Sequence, residues 1–127
     1  MFAQSPIGKW ETIDDETGKK KSVIEIFETN GKIYGKVTKL FRTPSEDQDP
    51  ICDKCTDYRK NRKIIGMMVL TDMKKSGNSW TDGKILDPKN GKIYSCTISM
   101  EGATKLKVRG YIGFETIGRT QYWNKVQ

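Results

Sequence analysis

Cys52 and Cys55 stand in the spacing Cys-x-x-Cys, and Cys96 is the third and last cysteine of the chain. Three chemistries use that spacing. A thiol–disulfide redox pair belongs at a helix N-terminus in a thioredoxin-like βαβ unit, and no such unit is visible around it. A zinc site needs four ligands. The chain has no histidine, so the fourth would be a carboxylate. A structural disulfide suits an oxidising compartment and would pin a loop. We expect the Cys52–Cys55 bridge. Reduced thiols, and a bridge from Cys96 to either loop cysteine, are also compatible with the sequence. The missing histidine removes Ser-His-Asp triads, Cys-His dyads and His-ligated metals or haem. Asp14-Asp15 and Asp47/Asp49 are the obvious carboxylate pairs, but Asp47-Gln48-Asp49 lacks the glycine and distal glutamate of a calcium loop. They read as solvated turns. Tyr, Lys, Cys and carboxylates remain for catalysis, and no constellation of them stands out. We expect no catalytic residue, no metal and no cofactor.

The charge is basic: 23 Lys and Arg against 16 Asp and Glu, a net +7 in 127 residues. Such a balance favours anionic partners. The cations are mostly dispersed, with clusters at Lys19–Lys21 and at Arg59, Lys60, Arg62 and Lys63. Glu46, Asp47, Asp49 and Asp53 precede the second cluster, which suggests a loop that complements its own charge. Only Tyr58 sits among those cations, whereas single-stranded nucleic acid is held by several stacking aromatics. We expect no nucleic-acid partner. The longest apolar stretch, Ile64–Leu70, is too short for a membrane-spanning helix, and a transmembrane protein is not expected.

The segments that must position these residues are strands. Ser22–Thr29 and Lys32–Phe41 are joined by Asn30-Gly31, the pair best suited to a type I′ hairpin turn. Leu106, Val108 and Ile112 alternate with Lys105, Lys107, Arg109 and Tyr111. Tyr94, Cys96, Ile98 and Met100 alternate with Ser95, Thr97 and Ser99. Period two with one polar face marks an antiparallel sheet wet on one side. Strands are expected near 8–13, 22–29, 32–41, 66–73, 78–81, 83–86, 92–100, 104–114 and 117–124, with 78–86 also readable as one kinked strand. No segment shows a convincing amphipathic helix. Consecutive hairpins favour an all-β, up-and-down antiparallel barrel of about eight strands. Residues 45–63 form a long loop, of a length that is usually functional or pinned. The loop is expected to be the most irregular part, lying over the open end and presenting Tyr58, Arg59, Arg62 and Lys63.

Gly8-Lys9-Trp10 opens the first strand, and Arg119 and Trp123 share a face of the last. A Gly-x-Trp with a late arginine resembles the lipocalin pattern, in which the arginine crosses the closed end and packs on the indole. That makes Gly8, Trp10, Arg119 and Trp123 structural residues, with Trp10, Ile24, Ile26, Leu106, Val108 and Trp123 in the core.

A wider resemblance runs through Gly8-Lys9-Trp10, Gly31-Lys32-Ile33-Tyr34-Gly35, Cys52-Asp53-Lys54-Cys55, Trp80-Thr81-Asp82-Gly83-Lys84-Ile85-Leu86-Asp87-Pro88 and Gly118-Arg119-Thr120-Gln121-Tyr122-Trp123. These segments resemble the bacterial family of domain of unknown function 2147. The resemblance implies a small, exported, lipocalin-like β-barrel and assigns no catalytic residue. Met1–Ser5 resembles the tail of a signal peptide without its apolar region. We read 1–5 as a signal remnant or disordered start, 6–127 as one barrel domain, and the location as periplasmic or secreted. The expected function is binding of a small apolar ligand in the barrel mouth without catalysis, by a monomer. Tyr34, Tyr58, Arg59, Arg62, Trp80 and Tyr94 are candidate contacts. The alternative is an envelope interaction protein with a filled barrel, whose basic surface docks anionic lipid or polysaccharide.

Overall fold

Asn30 and Gly31 both take positive φ, 54° and 79°, as a type I′ turn requires. They join β2 (Lys20–Thr29) to β3 (Lys32–Leu40). The other strands are β1 (Gly8–Ile13), β4 (Met68–Ser76), β5 (Ser79–Asp87), β6 (Lys92–Met100), β7 (Lys105–Tyr111) and β8 (Gly118–Lys125). The structure, a computed structural model, describes residues 5–114 and 117–126. Each strand pairs antiparallel with the next, and β8 returns to β1, so the sheet closes into an eight-stranded barrel in chain order. Closure leaves no exposed sheet edge. The closing seam is short: Trp10 pairs with Lys125 and Glu11 with Asn124, and the Val126 N–H donates to Lys9 O at 3.0 Å.

The expected alternatives for 78–86 resolve to one strand with a bulge. Asp72 on β4 and Asp82 on β5 both have positive φ, 58° and 62°. Both lie in the gap of the β4–β5 ladder between Thr71↔Lys84 and Lys74↔Thr81, across which the register is unchanged; the register shifts fall against the outer neighbours β3 and β6. The bulges swing the Met73 side chain across Gly83, where a Cβ would collide with Met73 Sδ and Thr71 O. The Trp-x-Asp-Gly run therefore records a local backbone and packing requirement.

Up-and-down topology divides the connections between two ends. The β2–β3, β4–β5 and β6–β7 hairpins, the start of β1 and the end of β8 lie at one end, here the closed end. The β1–β2 turn, the long β3–β4 connection, the β5–β6 turn and the β7–β8 turn lie at the other. All six expected core residues are buried. Trp10, Leu70, Met73, Cys96, Ile98 and Leu106 have 0% exposure, so no water-sized space touches them. The middle of the barrel is packed with side chains, as small barrels commonly are.

Arg119 does not reach Trp10. It pairs with Gly110 on β7, at the open end of β8, six residues from the level at which Trp10 meets Lys125. At 3.2–3.4 Å per residue that is about 20 Å. Its guanidinium instead pairs with Asp15 at 2.7 Å, with the side chain 68% exposed. Lys125 takes the place expected for the arginine, its ammonium 5.6 Å from the centre of the Trp10 ring. Gly8 takes a φ of +136°, which favours glycine, and a Cβ there would stand in ordinary contact, 3.7 Å, with the Lys125 Cε and Nζ. The cation over the indole is present, supplied by a different residue. Trp10 Nε1 donates to Pro6 O at 2.8 Å. Trp123 is also buried, and its Nε1 has no partner among the described residues.

Candidate functional site

The long connection is stitched by its own backbone. Cys52 N–H donates to Arg62 O (2.8 Å), Asn61 N–H to Cys52 O (2.7 Å) and Ile64 N–H to Pro50 O (3.0 Å). Ile51 and Lys63 form an isolated antiparallel bridge. At its centre Cys52 and Cys55 are joined by a disulfide, with both residues buried. The expected irregular segment is thus irregular in path but internally bonded.

Its location follows from what it covers. Leu86 falls between the inward-facing Ile85 and the β5–β6 turn, on the outer face, yet it is buried in the same cluster as Cys52, Cys55, Ile64 and Val69. The bridged segment rests on the β5–β6 turn. Cys52 Sγ lies 3.8 Å from Pro88 O, and a Cβ on Gly91 would collide with the Lys54 carbonyl. The loop therefore seals an apolar patch on the outer wall at the open end.

Arg59, an expected ligand contact, is a strut. Its side chain is buried. Nε and Nη2 grip the Asp57 carboxylate at 2.7–3.2 Å, and Nη1 donates to Met68 O at 2.8 Å. The hydrogen bonds from Arg59 hold the Asp57 carboxyl below its ordinary range. Forked recognition of a carboxylate is what a guanidinium does best, and here it fastens the loop to β4. Each of the three Arg59 side-chain nitrogens donates to protein.

Between this loop and the start of β4 opens a cleft of about 460 Å³, lined by Tyr58, Arg59, Arg62, Lys63, Ile65, Gly66, Met67 and Met68. That volume lies within the range of small-molecule sites. Tyr58 is 72% exposed. Lys63 is paired with Asp49 at 3.1 Å. The Arg62 side chain has no hydrogen-bond or ion-pair partner among the described residues. The candidates Tyr58, Arg59 and Arg62 thus share one cleft. The apolar wall of Ile65, Met67 and Met68 was missed as a site in the sequence. Its signal was present: the longest apolar run begins where the basic cluster ends.

The other candidates lie elsewhere. Tyr94 points inward below the open end, its hydroxyl accepting from Asn90 Nδ2 at 3.1 Å. Trp80 is buried inside the barrel toward the closed end. Tyr34 is on the outer wall, stacked on Phe27 with ring centres 6.0 Å apart. Its hydroxyl donates to Asp72 at 3.0 Å, which raises the phenol's pKa. Cys96 faces the sealed interior, and burial pushes its thiol up to about 12. Among the described residues no cluster of His, Cys, Asp or Glu could hold a metal, and no helix is long and apolar enough to cross a membrane.

A bridge that spans so few residues removes little chain entropy from the unfolded state. Reduction should leave the melting temperature within a few degrees and open residues 50–64 to protease. A large fall in melting temperature would show the loop to be part of the global folding unit.

An eight-stranded antiparallel barrel closed in chain order, with a Trp-floored closed end and a long connection at the other, defines a lipocalin-like protein. Protein HP1028 from Helicobacter pylori, described as belonging to the lipocalin family, has the same fold. The TM-score is 0.82 at 22% identity, over 98% of this chain and 84% of that one. The chain belongs to the family of uncharacterised proteins conserved in bacteria called DUF2147, which it matches over residues 8–125. No curated protein matches it.

Proposed function

We propose that the protein binds a small amphiphile, with a largely apolar body and an anionic head, in the cleft between the long loop and β4, without catalysis. The packed interior supports a site in this cleft over one on the barrel axis. The carrying observation is the combination of about 460 Å³ of space, a wall of Ile65, Met67 and Met68, and the unengaged Arg62 guanidinium at its edge. Methionine walls adapt to varied apolar shapes, and a guanidinium suits a carboxylate or phosphate. The Cys52–Cys55 bridge supports a periplasmic or secreted location, since disulfides persist in oxidising compartments.

The test is a fluorescence titration with anilinonaphthalene sulfonate, which has an apolar body and an anionic head, followed by displacement with a medium-chain carboxylate. Saturable, displaceable binding that falls at least tenfold in Arg62→Glu is expected, with the melting temperature unchanged. Absence of saturable binding, or equal binding by the variant, overturns the reading.

A further inference from the structure

One rung of the barrel carries a polar line across the outer wall. Ser76 pairs with Ser79, Ser79 with Ser99, Ser99 with Lys107 and Lys107 with Tyr122. The line crosses from β4 to β8, four strand gaps, or roughly 19 Å. Ser79, Ser99, Lys107 and Tyr122 point outward, since their chain neighbours Trp80, Ile98, Leu106 and Trp123 are in the core. Tyr122 is 45% exposed. The ammonium of Lys105, diagonal to it on β7, lies 5.8 Å from the centre of its ring. Two ammoniums thus flank one open ring.

The charge of this wall is uncompensated. Strands β6, β7 and β8 contain no aspartate or glutamate. Lys107 has no hydrogen-bond or ion-pair partner among the described residues, and Lys105 rests on a neutral ring. Arg109 is tied to Thr120 Oγ1 at 2.8 Å and is left out of the site. Across the barrel on β2 and β3 the cations are matched: Lys20 with Glu11, Lys32 with Asp72 and Lys36 with Glu25. Ammoniums without acids attract an anionic partner. Serine hydroxyls in line suit a partner with hydroxyls along its length, and the negative π-face of a tyrosine attracts the C–H side of a sugar ring. Other polyanions fit less well. A bilayer takes an apolar face among the cations, and this line has no aliphatic side chain. Single-stranded nucleic acid takes a series of stacking aromatics, and this line has Tyr122 alone.

We propose that a linear acidic polysaccharide docks across the outer wall of β4–β8. A uronate ring stacks on Tyr122, its carboxylate sits between Lys105 and Lys107, and the chain runs along the serines toward β4. The inference is independent of the ligand cleft, which lies at the open end.

The test is titration calorimetry with polygalacturonate, a carboxylated glycan, and with dextran, a neutral one. The full chain should bind polygalacturonate, more weakly as salt is added, and leave dextran unbound. Lys105→Ser/Lys107→Ser should weaken binding at least tenfold, as loss of interface anchors does, at an unchanged melting temperature. Lys19→Ser/Lys21→Ser removes the same charge elsewhere and should bind within about twofold of the parent. Tyr122→Ala changes no charge and should weaken binding at least threefold. Equal weakening by the two lysine pairs would reduce the effect to net charge and overturn the proposal. Full binding by Tyr122→Ala, no binding of polygalacturonate, or tighter binding of single-stranded DNA through the same residues overturns it as well. Arg62→Glu should bind polygalacturonate like the parent, so a failed ligand titration and a failed polysaccharide titration are separate results.

Discussion

Replacing Trp10 with alanine should destabilise the protein by about 3–5 kcal/mol, the range for deleting a buried large aromatic side chain. Trp10 has 0% exposure. Its loss would also leave Pro6 O without its donor and Lys125 without the ring beneath its ammonium. Small domains have about 5–15 kcal/mol in all, so the variant should be marginal at growth temperature. Urea unfolding followed by the fluorescence of Trp80 and Trp123 measures the change as a fall in midpoint. A loss under about 1 kcal/mol would mean that the closed end repacks around the gap.

Gly91→Ala should be the most costly glycine substitution. Gly91 has φ +74°, and its Cβ would strike the Lys54 carbonyl, which is backbone. The left-handed conformation costs about 1–2 kcal/mol for an alanine, and forcing the loop aside adds about 1–3 kcal/mol. Gly77→Ala is the control, since Gly77 has φ +63° and nothing within 4 Å of its Cβ. It should show only the first cost. Urea midpoints for the two variants, read with the rate of proteolysis within residues 50–64, separate the terms. Equal midpoints and equal proteolysis would show that the bridged loop does not bear on the β5–β6 turn.

Much of this architecture was legible because the signals were local. Asn30-Gly31 specifies its turn without help from the rest of the chain, and period two in Lys92–Met100 and Lys105–Tyr111 specifies which side chains point inward. What alternation does not specify is level. Arg119 and Trp123 do share the inner face, as their spacing implied. Which of them meets Trp10 depends on the register across the β1–β8 seam, a relation between residues more than a hundred positions apart. That register places Lys125 over the indole. Arg59 is a similar case. Its cluster and its neighbour Asp57 were visible, but the acceptor at Met68 O exists only once the loop folds back on β4. The exposure of Ile112, Phe114 and Ile117 around the β7–β8 turn was hidden for another reason. Ile112 continues the alternation of β7, and a pattern cannot show where a strand leaves the sheet. β7 ends at Tyr111, one residue before Ile112, and Gly113 then turns the chain with φ +81°.

The short β1–β8 seam has a consequence for load. Among the described residues two pairs hold it, where the β1–β2 ladder has six and the β7–β8 ladder seven. The start of β1 and the end of β8 lie at the same end of this seam, on antiparallel neighbours. Tension applied between them would pull β1 and β8 apart crosswise, breaking one rung at a time, and the cylinder would peel open like a zipper. Force applied from the long loop to the chain ends would run along the strands and strain many rungs together. A sheet without an edge thus still has a preferred place to tear, and it yields or resists according to where it is tethered.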